Sequence, residues 1–138
     1  MKKKLNCILL IDDDRATNFL HEMVLSDMDV ADEIVAVESG MEALKYLMST
    51  EDGKHPQPDL IFLDINMPAM NGWEFLIEYE KLEKSAKARF VLMMLTTSLN
   101  PDDHETAKTL PLVAGFLSKP LTPEMVQDVL EENFSDFL

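Results

Sequence analysis

The most informative residues of this sequence are carboxylates, hydroxyls and one ammonium group that directly follow short apolar runs. They are Asp12, Asp13 and Asp14 after the first run, Asp64 after the third, Thr96, Thr97 and Ser98 after the fourth, and Ser118 and Lys119 after the fifth. Carboxylates gathered in one crevice raise one another's pKa unless a cation compensates them. Mg²⁺ suits a few carboxylates beside a phosphate-bearing substrate. The pattern predicts a site that holds a phosphoryl group between a metal ion and Lys119.

Asp64 is the predicted phosphoacceptor among these carboxylates. It stands alone at the end of a central apolar run, whereas Asp12 and Asp13 are adjacent and better placed to hold a metal ion. A carboxylate can attack phosphorus to form an aspartyl phosphate, and catalysis then rests mainly on positioning and charge neutralisation. The Thr96 hydroxyl can donate to an anionic phosphoryl oxygen.

The elements that must position these residues are read from five apolar runs and the segments between them. The runs cover residues 7–11, 34–37, 60–63, 90–95 and 113–117. Continuous apolar runs of this length are typical of strands covered on both faces of a parallel sheet. Proline follows a helix-capping residue at Asn100 and at Thr122, which is a helix-start signal. The alternation predicts an α/β fold, a doubly wound, five-stranded parallel sheet with helices on both faces.

Three further sets of residues refine the helices. Ser39 with Glu42, and Asn71 with Glu74, have the spacing of capping boxes. The residues that share one face of the first helix are Ala16, Phe19, Leu20, Met23 and Val24.

In an open α/β sheet, ligands bind outside the carboxyl ends of the strands. The polar residues that follow the apolar runs are therefore predicted to meet at one edge.

Composition excludes several classes of protein. Of the 138 residues, 26 are acidic and 12 are basic, a net charge of −14 that opposes direct binding to nucleic acid or an anionic membrane. No apolar run approaches the roughly 20 residues that a membrane span needs, so no membrane insertion is expected. The single Cys7 fits a reducing, cytoplasmic location. The three histidines, His21 among them, are predicted to lie on the surface or on helix faces.

Residues 1–138 are expected to form one domain with a core over about 5–134, no output domain, and a solvated loop at 51–58.

Four segments together resemble the receiver domain of two-component response regulators, in its stand-alone, CheY-like form. They are residues 8–14, residues 64–72, Leu95 with Thr96, and Lys119 with Pro120. The resemblance covers almost the whole chain in the family's order and spacing. It implies a flavodoxin-like sheet with strand order 2-1-3-4-5.

The resemblance also implies roles for individual residues. Asp64 would be the phosphoacceptor, with Thr96 and Lys119 binding the phosphoryl oxygens. The implied Mg²⁺ ligands are Asp13 and Asp64 directly, Asp12 through a bound water, and the backbone carbonyl of Asn66. The implied switch residues are Thr96 and Phe116, and the Lys119–Pro120 peptide is expected to be cis. Residues expected to tune hydrolysis of the aspartyl phosphate are Asn66, Thr97 and Ser98; Thr97 is a departure, because receivers usually have a small residue there.

Three functions follow as hypotheses. The first is a phosphorylation switch that receives its phosphoryl group from a histidine kinase or a histidine phosphotransfer domain, and then binds a downstream target protein differently. Such a protein catalyses only its own phosphorylation and dephosphorylation. This hypothesis is compatible with a monomer or a homodimer. The second is a phosphatase of the haloacid-dehalogenase type, with Asp12 as nucleophile and Asp14 as general acid. The third is a receiver that serves as a constitutive docking module without phosphorylation.

Overall fold

Five parallel strands alternate with five helices in the computed structural model, which describes residues 4–87, 91–97 and 100–134. The strands are β1 (Leu5–Ile11), β2 (Ala31–Val37), β3 (Leu60–Leu63), β4 (Val91–Thr96) and β5 (Gly115–Ser118). The helices are α1 (Arg15–Met28), α2 (Gly40–Met48), α3 (Gly72–Glu80), α4 (Pro101–Thr109) and α5 (Pro123–Asn133), with one 3₁₀ turn at Lys84–Ala86. The predicted α/β fold is confirmed.

The strands form one sheet in the order β2-β1-β3-β4-β5, as the resemblance implied. The central strand β3 is apolar at all four positions and fully covered, because helices lie on both faces of the sheet. Ile11 pairs with Leu63, and Leu63 pairs with Met94, so the carboxyl ends of β1, β3 and β4 reach the same edge. The residues that follow these strands are thereby brought to one side of the molecule.

Two apolar layers hold the sheet between its helices. One layer joins the sheet to α2 and α3 and includes Leu47 and Phe75, both fully buried. The other joins the sheet to α1 and α5 and includes Leu25 and Val126. Burying a side chain of this size contributes about 1.5–3 kcal/mol each. The layers therefore make the sheet a rigid platform for the loops at its carboxyl edge.

The apolar spacing of α1 does not mark the side that packs on the sheet. Phe19, Leu20 and Met23 are exposed, and the buried residues of the helix are Asn18, His21 and Leu25. The spacing identified the helix correctly, and Val24 of the predicted face is partly buried against the layer that contains Leu25. Two of the three buried side chains of the helix, however, are polar. Those two polar residues contact the loops of the functional site.

The helix starts follow the predicted capping residues. Ser39 Oγ accepts a hydrogen bond from the Glu42 amide at 3.0 Å, and Asn71 forms a complete capping box with Glu74.

The strand bounds in the structure differ from the predicted bounds more than the helix starts do. The strand β5 begins at Gly115, because residues 113 and 114 form an irregular link between the turn at 111–112 and the strand. Residue 90, predicted to begin β4, lies outside the described residues. The 51–58 loop contains an isolated antiparallel bridge between Glu51 and Lys54.

Candidate functional site

The sheet's backbone hydrogen bonds continue one residue beyond the strand ends and fix the loops that carry the polar side chains. The Asp64 amide donates to the Ile11 carbonyl at 3.0 Å, and the Lys119 amide donates to the Thr96 carbonyl at 3.0 Å. Asp12 follows Ile11 directly. Main-chain contacts therefore help to position the predicted phosphoacceptor, the acidic loop and the lysine loop.

Asp12, Asp13 and Asp64 form the acidic cluster of the site. One carboxylate oxygen from each lies within 4.8 Å of the others. Asp12 and Asp64 are buried, whereas Asp13 is exposed, so the cluster opens to solvent on the Asp13 side. The geometry brings together the three carboxylates that the sequence predicted would meet.

Lys119 supplies the positive charge of the cluster. Its Nζ contacts Asp12 Oδ2 directly and lies 3.1 Å from Asp64 Oδ2. Burial lowers the lysine pKa, but the two carboxylates outweigh that effect and the net pKa is raised. Burial raises the pKa of Asp64, and Lys119 partly offsets the rise. With all four groups ionised, three negative charges and one positive charge leave −2.

Asp14 is oriented differently from its two neighbours. It is the N-cap of α1, where its carboxylate accepts from the Ala16 amide at 3.0 Å and from Thr17 Oγ1 at 2.9 Å. The hydroxyl and amide hydrogen bonds lower the pKa of Asp14. Its carboxylate is thus ionised and engaged at the helix terminus, an arrangement that suits a helix cap better than a general acid.

The remaining predicted residues lie around the acidic cluster. Thr96 is fully buried at the end of β4, and Thr97 beside it is exposed. Asn66 is exposed, and its amide faces Asp64 Oδ1 at 3.4 Å. The Lys119–Pro120 peptide bond is cis. The predicted residue 98 lies outside the described part of the chain.

Phe116, the predicted switch aromatic, is half-buried on β5. Its ring lies against the ring of His104 on α4, with centroids 3.9 Å apart. The same helix is joined to α3 by a hydrogen bond from Trp73 Nε1 to Asp103 Oδ1 at 3.2 Å. Two side-chain contacts therefore fix α4 against its neighbours near the site.

Sequence reasoning missed two polar residues of α1 that hold the site's loops. Asn18 Nδ2 donates to the Asp12 carbonyl at 2.9 Å and to the Val37 carbonyl at 3.2 Å. His21 Nε2 accepts a hydrogen bond from the Leu121 amide at 3.2 Å. The only available signal was a pair of polar residues three apart in a helix whose other spacing was apolar.

Gly72 is a third residue whose role the sequence did not reveal. Its amide donates to the Ile65 carbonyl at 2.7 Å, and a Cβ there would lie 2.6 Å from the Asp64 carbonyl oxygen. Only glycine allows the start of α3 to approach the Asp64 loop this closely. The complete capping box at Asn71 holds the helix start in the same place.

The acidic cluster fits a hard divalent cation. Its ligand atoms are carboxylate oxygens, which Mg²⁺ prefers, and they lie close enough to share one ion. The residual charge of −2 equals the charge that such an ion neutralises. Asp13 is exposed, which leaves room for the water ligands that Mg²⁺ usually keeps.

Fold and site together define a doubly wound α/β domain with an acidic, lysine-containing pocket at the carboxyl edge of its parallel sheet. The chain belongs to the response regulator receiver domain family, whose model matches residues 8–131. Receiver domains are phosphoacceptor switches that bind Mg²⁺ or Mn²⁺ at an acidic pocket and interact with kinases or phosphotransfer proteins and with downstream targets.

Known proteins of the family resemble the chain along most of its length. Response regulator Rcp1 from Synechocystis sp. is 33% identical over 97 residues, which cover 70% of this chain and 65% of Rcp1, slightly less than two thirds of that relative. A two-component response regulator from Cytophaga hutchinsonii has a crystal structure with a TM-score of 0.79 and 28% identity, covering 94% of this chain and 97% of that one. The Mn²⁺-bound form of Rcp1 has a TM-score of 0.73 and 29% identity, covering 95% and 94%.

Among the described residues, no helix has both the length and the apolar character needed to cross a bilayer.

Proposed function

We propose that this chain is a phosphorylation switch in which Asp64 accepts a phosphoryl group from a histidine kinase or a histidine phosphotransfer protein. The observation that carries the proposal is the contact of Lys119 with the buried carboxylates of Asp12 and Asp64, beside the exposed Asp13. This arrangement pairs a nucleophile with a movable cation and with two carboxylates suited to a metal ion. Membership of the receiver family supports the same function.

In the proposed reaction, an Asp64 carboxylate oxygen attacks the phosphorus of a phosphohistidine. A new O–P bond forms while the P–N bond breaks, and its electron pair stays on the departing imidazole, which takes up a proton from solvent. The Lys119 ammonium exchanges its contact with Asp64 Oδ2 for a phosphoryl oxygen, and the Thr96 hydroxyl donates to another. No general acid of this chain is required, because the proton that makes the imidazole a good leaving group reaches the phosphohistidine ring from solvent.

Mg²⁺ is the proposed cofactor. Asp13 and Asp64 would hold it directly, Asp12 would act through a bound water, and Asn66 would contribute its backbone carbonyl. When bound, the ion supplies the charge neutralisation that lets a carboxylate approach an anionic phosphoryl group. The position of Asp13, exposed at the mouth of the cluster, supports entry of the ion from solvent.

The proposed output is a changed surface for a downstream target protein. Thr96 would turn toward the phosphoryl group, and Phe116 would follow it, shifting a pre-existing equilibrium between two states. The half-buried Phe116 ring and its contact with His104 support this proposal, because a change at Phe116 would be passed to α4. Residues 66, 97 and 98 would set how fast water removes the phosphoryl group. A cytoplasmic location is part of the proposal and is supported by the single, unpaired Cys7 thiol.

Intact-mass measurement after incubation with acetyl phosphate and Mg²⁺ tests the proposal. Wild type should gain the mass of one phosphoryl group, and Asp64→Asn should gain none. Asp59→Asn is the matched control, because Asp59 is also buried but directly precedes β3, at the opposite end of the strand from Asp64. Chelation of divalent ions with EDTA should abolish the gain in wild type.

The other two hypotheses predict different outcomes. A haloacid-dehalogenase-type phosphatase would turn over a phosphate ester many times and lose activity on replacement of Asp12 or Asp14 rather than Asp64. The capping role of Asp14 and the family match weigh against it. A constitutive docking receiver would show no mass gain in any variant, and that result would refute the proposed function.

A further inference from the structure

Helix α1 presents two buried polar side chains to the edge of the sheet, and each one bonds to a different loop of the site. Asn18 donates to the carbonyl of Asp12, in the acidic loop. His21, one turn further along, accepts from the amide of Leu121, in the lysine loop. A single helix thus joins the two loops whose side chains meet in the contact between Lys119 and Asp12.

The His21 contact is built as an interior hydrogen bond. The side chain is 2% exposed, and the bond joins residues 100 apart in the chain. A backbone amide always donates, so Nε2 must accept, which requires a neutral imidazole with its proton on Nδ1. Burial lowers the pKa of His21 and so favours the neutral form.

The lysine loop is short and is held at both ends. Lys119 lies two residues before Leu121, with Pro120 between them. The Lys119 amide is bonded to the Thr96 carbonyl of β4, and the Leu121 side chain is buried in the apolar layer that contains Leu25 of α1. The bond to His21 is the polar anchor on the α1 side of this three-residue segment.

We propose that His21 is a positioning residue for Lys119. By accepting the Leu121 amide, it fixes the backbone from which the lysine side chain reaches Asp12 and Asp64. It touches no reacting atom and acts only through the loop. The inference rests on the proposed phosphoryl transfer to Asp64, in which Lys119 binds the transferred group.

Two amide variants test the proposal, because they differ in where they place an acceptor. His21→Gln puts its carbonyl oxygen near the position of Nε2, whereas His21→Asn puts it near that of Nδ1, too short to reach the Leu121 amide. Both are polar and uncharged, so neither variant introduces a charge at this buried position. The matched stability control is Leu47→Val, which disturbs the apolar layer on the opposite face of the sheet.

The assay measures initial rates of phosphorylation against acetyl phosphate concentration at saturating Mg²⁺, at a temperature where every variant is folded. Misplacement of a reacting group by about 1 Å costs up to roughly 100-fold in rate. We expect His21→Asn to lower the maximal rate at least about tenfold, with a smaller change in the half-saturating concentration. His21→Gln should recover most of the wild-type rate, and Leu47→Val should lower thermal stability without lowering the maximal rate.

The outcomes separate the inference from the function on which it rests. If wild type takes up no phosphoryl group, the proposed function fails. If wild type is phosphorylated and His21→Asn matches its maximal rate, the positioning role is refuted while the function stands. Equal losses in His21→Asn and His21→Gln, or a matching loss in Leu47→Val, would also overturn the inference, because the rate would then follow stability rather than the acceptor position.

Discussion

Replacing Lys119 with methionine removes the positive charge of the site while keeping a side chain of similar length. In the wild type, this ammonium contacts Asp12 and lies 3.1 Å from Asp64, and the three side chains are only 12%, 6% and 5% exposed. The substitution therefore leaves two nearly buried carboxylates side by side without a compensating cation. We expect a clear loss of stability in the absence of divalent ions.

The size of the loss follows from the contacts. At an effective dielectric constant of about 20, the Lys119–Asp64 attraction alone is about 5 kcal/mol. The desolvation of the lysine cancels part of it, and removing one partner of a buried ion pair typically costs about 3–5 kcal/mol. Asp64 can take up a proton, and the cluster opens to water at Asp13, so the lower end applies. We predict a loss of about 3 kcal/mol at pH 7, or roughly 10 °C in Tm.

The pH dependence of the Lys119→Met variant has a definite sign. Burial already raises the folded-state pKa of Asp64, and the variant loses the opposing effect of Lys119, so the pKa rises further. A group with a raised folded-state pKa contributes stability below its unfolded pKa, about 3.9, and loses that contribution as pH rises through the folded value. The deficit relative to wild type should therefore be small near pH 4 and grow toward neutral pH. Urea unfolding at several pH values measures it.

Mg²⁺ and a surface lysine supply the comparisons for this prediction. At 100 times its Kd, the ion adds about 2.7 kcal/mol to the free energy of unfolding of any protein that binds it only when folded. At a given Mg²⁺ concentration, the ion should stabilise Lys119→Met more than wild type, because no lysine competes for the carboxylates. Lys81→Met is the control, since Lys81 pairs with Glu78 at 2.9 Å on the exposed surface, where such pairs contribute at most about 1 kcal/mol. If Lys119→Met is as stable as Lys81→Met at pH 7 without Mg²⁺, the charge argument for this site is wrong.

Three further predictions concern residues around the site and in the core. Gly72→Ala should destabilise the fold by about 1–3 kcal/mol in urea, because its Cβ would meet the Asp64 carbonyl at 2.6 Å; Gly53→Asn, at an open position, should cost much less. Stability should fall as pH drops below about 6.5, because burial lowers the folded-state pKa of His21 and the unfolded chain then binds the extra proton; His21→Gln should flatten this decline, and an unchanged profile would show that His21 does not cause it. Cys7, buried and with a pKa raised to about 11, should resist thiol reagents at pH 7.5 until urea unfolds the chain; rapid labelling of the folded protein would contradict that assignment.

The sequence predicted the arrangement of strands and helices well, because both signals are local. Apolar runs and capping residues each reflect the chemistry of a few neighbouring positions, and the structure contains the predicted alternation. The strand order needed more than local signals and came from the family resemblance. The bounds of β5 were less exact, because an apolar residue such as the half-buried Val113 suits an irregular connection as well as a strand.

The meeting of Asp12, Asp13 and Asp64 could be predicted because parallel strands end at a common edge. The roles of the supporting residues His21 and Gly72 could not be predicted, since they depend on distances between elements. His21 contacts a residue 100 positions away, and Gly72 is constrained by the approach of another backbone segment. The exposed side of α1 was equally hidden, because Phe19 and its apolar neighbours follow helical spacing whether they face the sheet or the solvent.

The bond between Trp73 and Asp103 gives the protein an internal optical probe. Trp73 is the only tryptophan of the chain, and its indole N–H donates to a carboxylate on a different helix at 3.2 Å. The emission of an indole depends on the charges and water around it, so breaking this bond changes the spectrum. Fluorescence of the unlabelled protein therefore reports directly on the contact between α3 and α4, in real time and at the concentrations used for phosphorylation.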